Sequence, residues 1–215
     1  GLRGTVSPSR TMSTPPQSTF GRLEQHLRGE LGRRLVHASG TALPVLYLLG
    51  VSWRDVATLY VICAAGALAI DLVRLYTGLD WWIYEHLTRE YEQNNIAGYV
   101  LYMLSSAVAW FAFKPAVAVP AILMLTLGDP ISGIVGSGEL RFVKRPTALA
   151  IMFAVCVLIA VPFHYAAPPT VIAGALGGTL ADGVKLSVSG YIIDDNLTIP
   201  VVAGAAMQLA VSIGP

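Results

Sequence analysis

Residues 115–137 read PAVAVPAILMLTLGDPISGIVGS, and this run decides the fold. A helix needs about 17 to 25 predominantly apolar residues to cross a bilayer, and the run has that length. It is apolar except where Asp129 and the helix-breaking Pro130 interrupt it. Lipid offers no partner to an exposed amide or carbonyl, so broken backbone at membrane depth normally lines a cavity. Working outward, similar apolar runs occupy residues 35–52, 55–76, 97–113, 147–163, 169–188 and 196–213, each bounded by charge, Pro or Gly. The sequence therefore predicts an all-α, polytopic transmembrane bundle of about seven spans, with no strand-like alternation. Gly174, Gly177, Gly178 and Ala181 recur at the spacing that lets neighbouring helices approach closely.

Composition agrees. Of 215 residues, 54% are hydrophobic and 13% charged, and the mean hydropathy is +0.62, more apolar than a soluble domain requires. A net charge of +1, with basic residues scattered among loops, gives no reason to invoke nucleic acid. Cys63 and Cys156 each sit inside an apolar run without a neighbouring His or Cys, so neither a disulfide framework nor a zinc site is suggested and both read as small core residues. Residues 1–30 are rich in Ser, Thr, Pro, Gly and Arg and read as a largely disordered tail, with the membrane domain covering 31–215. Seven spans divide the 14 Lys and Arg unequally. Arg3, Arg10, Arg22, Arg28, Arg33, Arg34, Arg74, Arg89, Arg141, Lys144, Arg145 and Lys185 share one side with the N-terminus, against Arg54 and Lys114 on the other. The expected N-terminus is cytoplasmic, and the expected membrane is the plasma membrane if the source is prokaryotic.

The connection from Thr77 to Ile96 carries Trp81, Trp82, Tyr84 and Tyr91 beside Asp80, Glu85, Arg89, Glu90 and Glu92. It reads as an amphipathic interfacial helix, either an anchor or a lid over a lipid substrate.

Ionisable groups within spans are costly to bury and are candidates for function. They all fall toward the cytoplasmic face: His37, Arg33 and Arg34 at the first span, Asp71 and Arg74 leaving the second, Asp129 in the fourth, Asp182 and Lys185 ending the sixth, and Asp194 and Asp195 entering the seventh. Gly128, Gly133 and Gly136 flank Asp129 and would let phosphate approach backbone amides, with Lys144 and Arg145 following to neutralise its charge. No G-x-x-x-x-G-K-[ST] pattern is present, and a kinked helix packed through its glycines explains the same residues. In Asp194-Asp195-Asn196-Leu197-Thr198-Ile199-Pro200 the oxygens suit Mg²⁺ bound with phosphate, or else Asp195 or Asn196 caps the helix. Asp71 with Arg74, and Asp182 with Lys185, stand three apart and pair along one helix face, which is compatible with function. His37 is either a structural hydrogen-bonder or a base.

These motifs resemble a known family, the CTP-dependent lipid-alcohol kinases that include dolichol kinase, phytol kinase and the yeast-type diacylglycerol kinase. The similarity runs from about Arg33 to the C-terminus. Asp194-Asp195-Asn196-Leu197-Thr198-Ile199-Pro200 resembles the family's closing motif, Leu127-Gly128-Asp129-Pro130 with Gly133 and Gly136 its central one, and Arg33-Arg34-Leu35-Val36-His37 and Asp71-Leu72-Val73-Arg74 its first two helices. Where family members usually carry a Lys-Ser-x-Glu-Gly-Ser-like segment, this chain has Lys144-Arg145-Pro146-Thr147-Ala148, and Asp182 stands near a common Glu. The resemblance implies transfer of the γ-phosphoryl group of CTP to the hydroxyl of an isoprenoid alcohol (dolichol, geranylgeraniol or phytol type) or a diradylglycerol. It implies Asp129, Asp195 and Asn196 holding Mg²⁺ and nucleotide, and Lys144 and Arg145, with Gly128, Gly133, Gly136, Arg74 and His37, at the phosphates. Asp129 or Asp71 is the expected base. The alternatives are a CTP-dependent lipid-phosphate cytidylyltransferase and an anion transporter without enzymatic activity.

Overall fold

The computed structural model describes residues 35, 37–77, 95–135, 143–184, 186–188 and 191–214. The predicted tail, most of the predicted interfacial helix, Arg33, Arg34, Gly136, Arg141 and Lys185 lie outside the described residues.

Eight α-helices are defined among the described residues: α1 (Ala42–Leu48), α2 (Trp53–Thr77), α3 (Gly98–Ala112), α4 (Pro115–Leu123), α5 (Asp129–Val135), α6 (Pro146–His164), α7 (Pro168–Gly183) and α8 (Asp195–Ile213). A π-helical turn, Met124–Gly128, joins α4 to α5. Four segments are long and apolar enough to cross a membrane, as in a multi-pass membrane protein: Trp53–Thr77, Pro115–Ile134, Pro146–His164 and Asp195–Ile213; Gly98–Ala112 is a shorter apolar helix. The first predicted span, 35–52, breaks at the Gly40–Thr41 turn and leaves the seven-residue α1. The sixth ends at Gly183, not at residue 188, because Val184 turns extended.

The chain then forms what its apolar pattern did not announce, a small antiparallel hairpin of β1 (Leu186–Val188) and β2 (Tyr191–Ile193), in which Leu186 faces Ile193 and Val188 faces Tyr191. An isolated antiparallel bridge between Val143 and Val184 extends this irregular corner. Amides outside a helix need other partners, and at this corner these pairings supply several of them.

Pro115–Ile134 is the central segment. Of its apolar window 72% is buried within the bundle, against 28% for Trp53–Thr77, 22% for Pro146–His164 and 33% for Asp195–Ile213. One apolar cluster, including Met124, Leu125, Met152, Cys156, Ala175, Ile199 and Met207, joins it to α6, α7 and α8. A second, including Val56, Tyr60, Trp110 and Ile122, joins it to α2 and α3. There Trp53 and Trp110 stack with centroids 3.7 Å apart, and the Trp110 indole donates to the Trp53 carbonyl at 3.3 Å. The predicted close approach is seen between α7 and α8: a Cβ added at Gly177 would stand 3.1 Å from the Val202 carbonyl oxygen and 3.2 Å from Ala203 Cα. Backbone cannot yield there, so only glycine permits this separation.

Candidate active site

The central segment delivers Asp129 through its break. Pro130 has no N–H to continue the ladder, and the five residues before Asp129 adopt the wider π pitch, a feature common at functional sites. Thr41 steadies this turn, its hydroxyl donating to the Thr126 hydroxyl at 2.9 Å.

Four chain segments converge on Asp129. Lys144 precedes α6, where Pro146 fits the first helical turn. Its amide donates to the Gly183 carbonyl at 3.1 Å, beside the Val143–Val184 bridge. This backbone pairing brings the Lys144 ammonium to the end of α7, where Nζ lies 2.6 Å from Asp182 Oδ1. It also lies 3.6 Å from Asp129 Oδ1 and 3.7 Å from Asp195 Oδ2. Ser132, buried on α5, donates to Asp182 Oδ2 at 3.2 Å. His37 Nδ1 stands 3.4 Å from Asp129 Oδ2, its ring stacked on Tyr102, while the Tyr102 hydroxyl donates to the His37 carbonyl at 3.2 Å.

The entry to α8 resolves the capping question against both residues predicted for it. Asp194 is the cap, accepting from the Asn196 amide at 2.9 Å. That frees the Asp195 carboxylate to face Lys144. Asn196 is buried, its carbonyl taken by the Ser105 hydroxyl at 2.6 Å, and its side-chain Oδ1 has no hydrogen-bond partner among the described residues.

Oxygen atoms of Asp129, Asp182 and Asp195 lie within 4.8 Å of one another. An all-oxygen set of this kind suits a hard divalent cation such as Mg²⁺. Three carboxylates facing one ammonium leave a negative balance when all are ionised, which favours a further cation. Burial by itself would push the Lys144 pKa down; Asp129, Asp182 and Asp195 outweigh it and hold Lys144 above the ordinary lysine value.

Other predicted residues stand elsewhere. Asp71 and Arg74 pair as their spacing predicts, Arg74 Nε donating to Asp71 Oδ1 at 2.8 Å. Asp71 Oδ1 also accepts from the Tyr99 hydroxyl at 2.9 Å, and Oδ2 accepts from the Ala97 amide at 3.1 Å. Arg74 Nη2 donates to the Asn95 carbonyl at 2.7 Å. The two therefore join the end of α2 to the start of α3, and the described contacts of Asp71 do not reach the Asp129 cluster. Gly128 packs against the Met152 thioether, where an added Cβ would stand 3.0 Å from sulfur. Gly133 follows Ser132 on α5, and Arg145 is exposed beside Lys144.

Ser132 belongs to the cluster but is absent from the expected site, and Asp182, expected among the ionisable groups of the cytoplasmic face but given no role there, belongs to it as well. Asp182 carried a signal, a lone acid within an apolar run, yet its expected partner was Lys185 on the same helix. Ser132 carried none.

No protein-family model, curated protein or solved structure matches the chain.

Proposed function

We propose that this chain is a seven-span membrane phosphotransferase, its N-terminus cytosolic, that moves the γ-phosphoryl group of CTP to the hydroxyl of a membrane lipid alcohol. The observation that carries this reading is the convergence of Asp129, Asp182 and Asp195 on Lys144 at one end of an apolar bundle. Phosphoryl transfer asks a protein mainly for position and charge stabilisation, and a partly buried group of carboxylates with one fixed ammonium supplies both. CTP as donor, and a lipid alcohol as acceptor, rest on the sequence resemblance.

Asp129 and Asp195, with Asn196 Oδ1, which has no hydrogen-bond partner among the described residues, would hold Mg²⁺, and the ion would supply charge neutralisation at the nucleotide phosphates. Lys144 and Arg145 face the phosphate charge. The lipid oxygen bonds to phosphorus as the bond from the γ-phosphorus to its bridging oxygen breaks, CDP leaves, and the hydroxyl proton passes to a base or to water. Asp129, which keeps 19% exposure within the cluster, suits that base better than Asp71, which is buried at the α2–α3 junction and bonded to Arg74, Tyr99 and the Ala97 amide.

Purified protein in detergent, given γ-labelled CTP or ATP and a panel of geranylgeraniol, phytol, dolichol and diacylglycerol, tests the proposal. Label in the lipid with release of CDP supports it. Release of labelled diphosphate from CTP when a lipid phosphate replaces the alcohol as acceptor would point to a cytidylyltransferase. No turnover with any acceptor, together with anion movement in liposomes, would remove the enzyme reading.

A further inference from the structure

The three carboxylates around Lys144 are not equivalent. The Asp182 side chain is fully buried, and both of its oxygens are occupied: Oδ1 by Lys144 Nζ at 2.6 Å and Oδ2 by the Ser132 hydroxyl at 3.2 Å. Asp129 and Asp195 keep 19% and 14% exposure and stand 3.6 and 3.7 Å from the same nitrogen, at ion-pair range. A carboxylate that binds an incoming cation or phosphate-bound metal must present an oxygen to it. Asp129 and Asp195 have an exposed edge; Asp182 has none.

Lys144 is also held twice by one short stretch of chain. Its side chain bonds Asp182 and its amide bonds Gly183, while Val143 bridges Val184. A lysine side chain has four rotatable bonds and much rotamer freedom to lose, so restraint at both ends removes most of the ammonium's positional freedom. The end of α7 is itself anchored, since Gly177 and Gly178 hold that helix against α8 and α6.

We infer that Asp182 is a positioning residue, which fixes the Lys144 ammonium between Asp129 and Asp195 and does not itself ligate the metal or nucleotide. The inference deepens the phosphotransferase reading and rests on it for the identity of that ligand. A well-placed residue behind a functional group typically changes its performance by about 10- to 100-fold.

The experiment compares Asp182→Asn, Asp182→Glu and Ser132→Ala with Asp129→Asn and Asp195→Asn in the full chain in detergent. The first readout needs no turnover: the rate at which a limiting amine-acylating reagent modifies Lys144, followed by peptide mass spectrometry. Acylation should be about tenfold faster in Asp182→Asn, with a smaller rise in Ser132→Ala and partial return toward wild type in Asp182→Glu. Unchanged Lys144 acylation in Asp182→Asn overturns the inference. The second readout is Mn²⁺ binding without nucleotide, by electron paramagnetic resonance. Asp129→Asn and Asp195→Asn should weaken it about tenfold or more and Asp182→Asn only slightly; equal weakening by Asp182→Asn would make it a third ligand and overturn the inference. Where active protein is obtained, Asp182→Asn should raise the nucleotide KM without moving the metal activation constant. Should Asp182→Asn fail to fold, Ser132→Ala carries the acylation test, and an unchanged rate there overturns the inference. A wild type that binds no Mn²⁺ and turns over no nucleotide sinks the phosphotransferase reading, while the acylation rates still decide whether Asp182 positions Lys144.

Discussion

Gly177→Ala should loosen the site by parting the two helices that carry Asp182 and Asp195. The added Cβ would lie 3.0 Å from Ala206 Cβ, 3.1 Å from the Val202 carbonyl oxygen and 3.2 Å from Ala203 Cα. Carbon atoms rest at about 3.5 to 4.0 Å, so α7 and α8 must separate by about half an ångström. Overpacking of this kind costs about 1 to 3 kcal/mol. Alanine also has the better helix propensity, by about 0.8 to 1.0 kcal/mol, which masks part of that cost. Gly66→Ala is the matching control: it lies on α2 with nothing within 4 Å of the added atom, so it receives the propensity gain alone. The difference between the two variants isolates the steric penalty. At about 2 to 4 °C per kcal/mol for a chain of this length, Gly177→Ala should melt about 2 to 12 °C below Gly66→Ala. Thermal unfolding in one detergent, followed by far-ultraviolet circular dichroism, measures the gap. Equal melting temperatures, or a higher one for Gly177→Ala, would refute the claim that backbone contact sets the α7–α8 separation.

Asp129→Asn and Asp195→Asn should each lower phosphotransfer by about 10²-fold or more while leaving the melting temperature unchanged or raised, because each removes a like charge from the cluster; full activity in either would exclude that residue. Asp71→Ala should cost about 3 to 5 kcal/mol by leaving the Arg74 guanidinium buried beside a lost partner, read as a fall in melting temperature; a variant that melts like wild type yet is inactive would return Asp71 to the chemistry. Lys144→Met removes a cation whose folded pKa lies above its ordinary value. Its stabilisation is fully present below the ordinary lysine pKa and fades as pH rises through the higher folded one. The melting difference from wild type should therefore persist between about pH 8 and about pH 9, where the carboxylates facing Lys144 are also ionised, and a difference that disappears within that range would refute the assignment.

Much of the bundle is legible because lipid demands long uninterrupted apolar runs, and the helix limits in α2, α3, α6 and α8 follow from them. The break at Asp129-Pro130 is equally visible, since proline removes a donor wherever it stands. Its π-helical form is not, because a wider turn and a simple kink leave the same residues in the same order. The hairpin escapes the sequence: its first strand, Leu186–Val188, ends a run read as helix, its second, Tyr191–Ile193, lies in the connection that follows, and three residues a strand are too few for alternation to register. Pairing was least legible of all. Asp182 and Lys185 are three apart and meet the local rule for a helical ion pair; Lys185 lies outside the described residues, and Asp182 bonds a lysine 38 positions away, brought there by a backbone bridge. Capping of α8 by Asp194 was missed for a similar reason, as three consecutive oxygen-bearing side chains fit the pattern equally well.

The junction of Asp71 and Arg74 with Asn95, Ala97 and Tyr99 fastens α2 to α3 independently of the peptide between them. These bonds should therefore keep the two helices together when the chain is broken between residues 77 and 95. A chain cut there by a protease, or expressed as two fragments meeting at that point, should reassemble through this buried ion pair.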